Sequence, residues 1–524
     1  MNTTQSPVSE PGFWVAANSY MTSYSVYTAA FALLIYYALC CKSSYHPATG
    51  APKQWTAYHW PVIGSSMHYF ARRRDMFLNG RNVFPSGCFS FFVGRKHIVA
   101  LSGPQARRVF FETRGLSLAQ GFVELLTGRL PSAKNERDYG LHNLIKPLLH
   151  LTRSDELAKR ISPINSFVAT FCDELREEPP SGSVPDWRVM DLFGKVPLLI
   201  FKIMQQCVGF QEIAEDKRLL RRTFFWYRKF ENTTSHARII FPWLVTPRHL
   251  WRLIMATVLY IDLSTILNRR KKQEKRVDDS VQFLLDQGES NYNIVEFIFS
   301  VFVAGLTTTT FTCCWLLIFL TQFPKWKHRC REEVDQIIAK HRANPDEIPN
   351  ETLGSLSLQD WESGFPMLGL CLRETLRMNL PGTMFRKNAT ESDIPIGSIG
   401  EVIPPGAFAA YAVADTHLDS DLYPDPFRFD PGRYLDSESA SSGPHTYLGW
   451  GSGRHVCAGM RLAKLLITIV TVNFLANIDF ELCNHDGGEN TTGVPEWDRN
   501  ALRMEITGKP CYMRYKHREE STLP

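Results

Sequence analysis

Trp450-Gly451-Ser452-Gly453-Arg454-His455-Val456-Cys457-Ala458-Gly459, followed by a helical apolar pattern from Met460 to Ala476, is the stretch on which the fold turns. Glycines at 451, 453 and 459 let a backbone turn tightly and come close to a flat ligand. Cys457 falls just before a helix start, where unpaired N–H groups and the positive end of the helix dipole favour a thiolate. A thiolate held among backbone N–H groups is a soft, strongly donating ligand suited to haem iron, and its electron push favours O–O cleavage. Two blander readings compete: a lone cysteine is by default a small buried hydrophobe, and a zinc site needs partners. No CxxC or HxxxH stands at ligand spacing near Cys457, which weighs against zinc.

Around that loop, the 524-residue chain is 44% apolar and 21% charged, a composition that builds a large core and excludes disordered and fibrous classes. The formal charge of +5 is mild and gives no compositional support for nucleic-acid binding. Twelve cysteines over this length are too sparse for a disulfide-stapled secreted scaffold and read as mostly reduced. Length alone suggests about three domains of roughly 150 residues, so the motifs must set the count.

Residues 20–41 carry no charge, Tyr24 to Cys41 reading YSVYTAAFALLIYYALCC, and are long enough to cross a bilayer. Glu10 is the only charged side chain before Lys42, which leaves no basic region for a cleavable signal peptide. A retained transmembrane anchor is therefore favoured over an apolar helix buried in the domain, and tyrosines at both ends suit the membrane interfaces. Lys42, Lys53 and Arg72-Arg73-Arg74 follow, and this positive bias places the bulk of the chain in the cytosol and residues 1–19 in the lumen. Residues 42–64, with His59-Trp60-Pro61-Val62-Ile63-Gly64, read as a proline-containing hinge, and residues 65–524 as a single catalytic domain.

Within that domain, Cys88 to Val93 and His97 to Leu101 read as strands of a hairpin turning at Gly94-Arg95-Lys96. Helical periodicity recurs over Glu156 to Leu175, Leu219 to Phe230, Leu250 to Leu267 and Lys325 to His341. Strand patterns return near Ile399 to Ile403, Phe480 to Leu482 and Tyr512 to Tyr515, which gives a helix-dominated globule with a small β portion. Phe297 to Leu320 is uncharged, and hydropathy alone reads it equally as a second membrane span or as a helix through a large core. Its centre, Ala304-Gly305-Leu306 followed by Thr307 to Thr310, loosens a helix through hydroxyl bonds to backbone carbonyls, which suits a core helix beside a ligand. The basic run Arg269 to Arg276 has no interleaved aromatics and reads as a solvated helix end or loop rather than a nucleic-acid patch.

With Glu374-Thr375-Leu376-Arg377 and Phe429-Asp430-Pro431-Gly432-Arg433-Tyr434 upstream, the cysteine loop resembles that of the cytochromes P450, membrane-anchored haem-thiolate enzymes. Their pattern is an aromatic, two residues, glycine, one residue, a basic residue, one residue, cysteine, one residue and glycine. Trp450 stands where phenylalanine is usual, and Gly453, His455, Cys457 and Gly459 fill the other places. An E-x-x-R pair by itself is more often a surface salt bridge on one helix face. In the family, Glu374, Arg377 and Arg433 would form a buried, mutually neutralising triad under the cysteine loop, structural rather than catalytic. Ala304 to Thr309 matches the family's central helix, in which Ala304 and Gly305 would border the haem. Thr308 falls on the threonine that in the family hydrogen-bonds the activated oxygen and helps deliver protons. Thr307 stands where Asp or Glu is usual, so the relay implied here runs through the hydroxyls of Thr307 and Thr308 and through water.

The resemblance spans nearly the whole chain and implies a mainly α fold with a small β-rich lobe, preceded by one N-terminal transmembrane helix. Haem b, iron protoporphyrin IX, would take Cys457 as its axial iron ligand, with Arg386 and His455 near the propionates; His455 is the weaker cation at neutral pH. The Trp-x-x-x-Arg signature usual in an early helix is absent between Pro131 and Arg153, where His142 and Lys146 are the basic residues in place. The implied reaction is monooxygenation of a small lipophilic substrate by O₂ with NADPH-derived electrons. Without a Walker loop or dinucleotide fingerprint, the chain would receive them from NADPH-cytochrome P450 reductase, with cytochrome b5 as a further donor. Arg454, Arg461 and Lys464 would face the acidic flavin domain. Terpenoid, sterol and polyketide substrates, in secondary metabolism, fit an enzyme anchored in the endoplasmic reticulum membrane by a single span. Recognition would fall on the segments 115–129, 210–243 and 381–386. Trp450 and Thr307 also resemble the prostacyclin-synthase and sterol-hydroxylase branch, some members of which rearrange peroxides without external electrons. A haem-thiolate isomerase or dehydratase is thus the alternative, and a non-catalytic haem-binding sensor a third reading.

Overall fold

An uncharged helix must be covered by lipid or by protein, and in the computed structural model protein covers it. The central segment forms helix Asn291–Gln322, with every side chain from Thr309 to Leu320 buried. It begins at Ser290, whose hydroxyl accepts the Asn293 N–H at 3.1 Å. It packs against helices Leu192–Cys207, Pro366–Asn379 and Met460–Asn477. The core reading therefore holds over the membrane one. The structure describes residues 28–33, 35 and 46–518, apart from 123, 126–140, 181–185, 234, 274–275, 381, 399, 436–442, 492, 495, 497 and 501–509. Within the predicted anchor, residues 28–33 and 35 are helical and exposed, with Phe31, Leu33 and Ile35 uncovered. The rest of that span, residues 20–27, 34 and 36–41, and the tail 1–19 lie outside the described residues.

The periodic segments form helices Ser154–Glu177, Lys217–Glu231, Pro247–Gln273 and Pro324–His341. The mixed five-stranded sheet runs in the order Phe89–Val93, Lys96–Leu101, Phe408–Ala412, Thr383–Asn388, Leu116–Ser117. Only the Lys96–Leu101 and Phe408–Ala412 pairing is parallel. Strands Phe408–Ala412 and Thr383–Asn388 gave no sequence signal. Phe408 to Ala412 is buried on both faces, so polar and apolar residues have no reason to alternate along it. Ile98, Ala100, Phe408 and Ala410 join one apolar cluster, while Val99, Leu101, Ala409 and Tyr411 join another on the opposite face. A larger cluster draws side chains from Leu151 to Tyr515 and holds the central helix. The three-stranded sheet Ile478–Cys483, Tyr512–His517, Arg188–Asp191 borders it.

The basic run is not wholly solvated, contrary to the sequence reading. Arg270 is buried and pairs with Asp279 and Glu212, donating at 2.8 Å to Asp279 Oδ1 and at 2.6 Å to Glu212 Oε1. Two carboxylates around one guanidinium repay its desolvation, whereas Arg276 stays exposed beside Asp286. Among the described residues three helices are long and apolar enough to cross a membrane, and two of them, Asn291–Gln322 and Met460–Asn477, have 67% of that window buried. The third, Pro247–Lys272, has only 28% buried. It seats Leu259, Leu263, Ile266 and Leu267 inward at helical spacing and leaves Leu250, Trp251, Leu253, Ile254 and Ile261 exposed.

Candidate functional site

The cysteine loop folds as its glycines require. Gly451–Ser452 and His455–Val456 pair as a two-stranded turn, with Gly451 and Gly453 at φ +74° and +62°. A Cβ on Gly453 would stand 2.4 Å from the Phe111 carbonyl oxygen, which also accepts the Arg454 N–H at 3.2 Å. The Cys457 N–H donates to Trp450 O at 2.7 Å, and helix Met460–Asn477 starts from Gly459. Trp450 packs against the large core, and the Lys464 ammonium lies 5.8 Å from its ring. All ten described cysteines are free; nine are buried, and Cys457 is the exposed one. Burial nevertheless pushes its thiol up, against the opposing Gly459 N–H. Protein packs around the sulfur while solvent still reaches it.

Beneath the loop, Glu374, Arg377 and Arg433 meet. Arg377 donates to both Glu374 oxygens at 2.8 Å, Arg433 Nε donates at 3.0 Å, the Asp430 N–H at 3.1 Å and the Tyr434 hydroxyl at 2.8 Å. Glu374 and Arg377 side chains are fully buried, so this carboxylate has traded its water for five donors. His417 links the cluster to the loop, and sequence reasoning missed it. Its Nδ1 donates to Arg377 O at 3.1 Å and its Nε2 accepts the Leu448 N–H at 2.8 Å, a pattern that needs the neutral ring. Burial, with Arg377 nearby, pushes its pKa down to about 3. No local sequence signal marks it, because its partners come from two other segments.

Arg386 lies on strand Thr383–Asn388 with its guanidinium 4.9 Å from the Phe110 ring. It is buried, Nη1 donates to Phe385 O at 2.9 Å, and Nε has no partner. Burial pushes its pKa down to about 10, and among the described residues no carboxylate pairs with it. His455 is near enough to feel this charge: burial first, then Arg386 and Arg454, push its pKa down to about 4. A buried guanidinium with an idle donor, beside a ring that burial keeps neutral, is a place for an anion. Lys146 is exposed on helix Leu141–Leu151.

Between its two ends, exposure on the central helix is confined to one strip. Val303, Ala304 and Thr308 are exposed while Leu306 and Thr309 onward are buried, an i, i+4 face turned to open space in a core helix. Thr308 Oγ1 donates to Ala304 O at 2.9 Å and to Gly305 O at 3.2 Å, the back-bonding expected of threonine here. Thr307 points elsewhere, donating at 2.5 Å to Oε1 of Glu231, the last residue of helix Lys217–Glu231. Sequence reading missed Glu231 too, although a signal existed. Leu220, Thr223, Tyr227 and Glu231 share the buried face of that helix, and a carboxylate at such a position is unusual.

These residues fit a haem. The idle Arg386 Nε and His455 suit two carboxylates, the exposed Cys457 offers sulfur, and a Cβ on Gly459 would meet only open space. Comparison with known proteins agrees. The family model described as Cytochrome P450 matches residues 55–498. "Cytochrome P450 monooxygenase AacuE" of Aspergillus aculeatus is 30% identical, covering 86% of this chain and 90% of its own. "Cytochrome P450 monooxygenase nsrP" of Aspergillus novofumigatus is 28% identical, with 91% and 93% covered. Among solved structures, the retinoic-acid-bound cyanobacterial CYP120A1 is similar in fold, with TM-score 0.70, 18% identity, and 89% and 99% covered.

Proposed function

From the premise that this chain belongs to the cytochrome P450 family and is a monooxygenase using O₂, we propose that it oxidises a small lipophilic substrate of terpenoid, sterol or polyketide type. The setting is secondary metabolism. Electrons come from NADPH through a separate cytochrome P450 reductase, with cytochrome b5 as a further donor. One observation carries the reading: the single exposed cysteine among those described sits on a loop beside an unpaired buried arginine, and the central helix opens a strip ending in a hydroxyl.

Bound at this site as haem b, the cofactor supplies the redox chemistry that activates O₂. The chain supplies the rest. Cys457, once deprotonated, would hold the iron, and the Gly459 N–H would moderate the charge on its sulfur. Arg386 and His455 would hold the propionates, and Ala304 and Gly305 would give the flat face room. Thr308 is already bonded to two carbonyls, so it can turn its hydroxyl to a group in the site without unfolding a helix turn. Glu374, Arg377 and Arg433 keep the loop in place. Arg461 is committed to Glu362, its Nη2 donating at 2.9 Å, which leaves Arg454 and Lys464 exposed for an acidic flavin domain.

Residues 20–41 anchor the enzyme in the endoplasmic reticulum membrane, with residues 42–64 as hinge and residues 65–524 as the cytosolic haem domain. Two observations support membrane association: the exposed Phe31, Leu33 and Ile35, and the uncovered apolar side of Pro247–Gln273 with Trp243 beside it. Trp450 and Thr307 are what favours the prostacyclin-synthase and sterol-hydroxylase branch. The test is turnover of the haem-loaded protein with reductase, on substrates first selected by their shift of the ferric Soret band. Oxygenated product that requires NADPH is expected. Activity on a lipid peroxide without NADPH or reductase would replace this reading with the isomerase one.

A further inference from the structure

We propose that Glu231 is a positioning residue that passes protons to the central helix through Thr307, standing in for the acid this chain lacks beside Thr308. The inference rests on the electron-dependent monooxygenase reading above, since only that reaction consumes protons along with electrons.

Glu231 is buried, and its Oε1 accepts the Thr307 hydroxyl at 2.5 Å across 76 positions of sequence. Burying a carboxylate on the apolar face of a helix is costly, and a polar residue that only joined two helices would not need a charge. Arg228 Nη1 lies 3.8 Å from the other oxygen, Oε2, and its side chain is half exposed. The carboxyl thus has one oxygen beside a half-exposed arginine and one on the central helix, and the next residue along that helix, Thr308, faces the open strip. The main chain places the two hydroxyls of Thr307 and Thr308 on neighbouring faces, about 100° apart around the helix, so a site water must bridge them.

The step balances without any electron moving. The Glu231 carboxylate first takes a proton from water beside Arg228. It then gives that proton to Thr307 Oγ1 while the Thr307 hydroxyl, turned from the carboxyl, passes its own proton to a water on the Thr308 side, which restores the carboxylate. Three O–H bonds break and three form over the cycle, and the sum is one proton moved from solvent to the site. This arrangement also accounts for Thr307: a carboxylate at that position would face Glu231 at hydrogen-bond distance, and two like charges there would repel.

The experiment uses the full-length, haem-loaded enzyme with reductase and four variants: Glu231→Gln, Glu231→Asp, Thr307→Val and the Glu231→Gln/Thr307→Val double. Product and hydrogen peroxide are measured per NADPH consumed. Each single removal should lower product per NADPH by about a hundredfold, the low end for a positioned proton donor. The double should be no worse than either single, because both break one chain. Glu231→Asp should restore part of the coupling, and the reduced-CO band should be unchanged throughout. A second readout needs no turnover. The infrared difference between resting wild type and Glu231→Gln isolates the Glu231 carboxyl bands, which Thr307→Val should shift and Thr308→Ala should leave in place. Should Glu231→Gln fail to fold, Thr307→Val and Glu231→Asp carry both readouts. Wild type that ignores NADPH would overturn the parent reading and this one with it. Wild type that needs NADPH beside a Glu231→Gln enzyme that couples equally well would overturn the role of Glu231 alone. So would effects of the two substitutions that multiply, or carboxyl bands indifferent to Thr307.

Discussion

The two sides of the candidate site, the cysteine loop with its buried cluster and the central helix, are built on opposite plans. Under the cysteine loop, polar groups are wired together: Glu374 accepts from five donors, and His417 ties Arg377 to Leu448. On the central helix, the Thr308 hydroxyl bonds to carbonyls of its own helix, and the Thr307 hydroxyl joins that stretch to Glu231 of a neighbouring helix. Farther out, helix Pro247–Gln273 leaves much of its apolar side uncovered. A wall that must hold a charged sulfur in one place is over-determined, because a buried ion without partners costs several kcal/mol. A wall that must admit a substrate and let protons pass cannot be locked the same way. It follows that substitutions on the wired wall should act on cofactor retention and stability, and those on the open wall on the fate of electrons.

The largest effect is expected at the sulfur. Cys457→Ala should abolish both turnover and the red-shifted reduced-CO band of thiolate-ligated haem, and survival of that band would move the iron ligand elsewhere. Next comes Glu374→Ala, which strands two guanidinium groups in the core and should cost about 3–5 kcal/mol. Purified protein should then carry little haem and melt early. A normally loaded Glu374→Ala protein would show that the wired wall is redundant, and the contrast between the walls would fail.

Smaller again, and different in kind, is Thr308→Ala. The hydroxyl bonds only within its helix, so melting temperature and haem content should stay near wild type. Product per NADPH should fall about tenfold, with peroxide rising to match. Unchanged coupling would assign the role to Thr307, since Thr309 is buried away from the strip.

The difference between the walls also governs how much the sequence reveals. The cysteine loop is local: glycines with positive φ, a cysteine and a helix start lie within ten residues, so reading along the chain finds them. Glu374 and Arg377 share one helix turn, and Arg433 is carried by a resemblance that spans the chain. The central helix was legible as uncharged, but whether lipid or protein covered it depended on helices far away in sequence. His417 and the partners of Arg270 were not legible for the same reason, and Glu231 was marked only as a carboxylate on an apolar helix face. Each is a polar group whose meaning lies in what tertiary packing brings beside it, and a hydropathy pattern records burial without recording partners. The anchor shows the converse case. Its composition is explicit in the sequence, yet most of it lies outside the described residues.

The mildest test reads the wiring itself through pH. His417 must be neutral, since Nε2 accepts the Leu448 N–H while Nδ1 donates to Arg377 O. Its pKa is pushed down to about 3 in the fold against an ordinary value of 6.5 in the unfolded chain. Between those values the unfolded chain binds the extra proton, so stability is complete above pH 6.5 and falls as pH drops, by at most about 1.4 kcal/mol per unit from this residue. His97, pushed down to about 4, adds the same sign over a narrower window. His417→Gln keeps a donor and an acceptor but cannot take up the proton. It should start less stable than wild type near pH 7 and lose about 1–2 kcal/mol less on acidification to about pH 5, measured by denaturant melts of the loaded protein. Parallel melts would mean that the ring protonates without leaving its place. In that case the link from Arg377 to the cysteine loop does not depend on a neutral imidazole, and the rigidity of this wall must come from Glu374 alone.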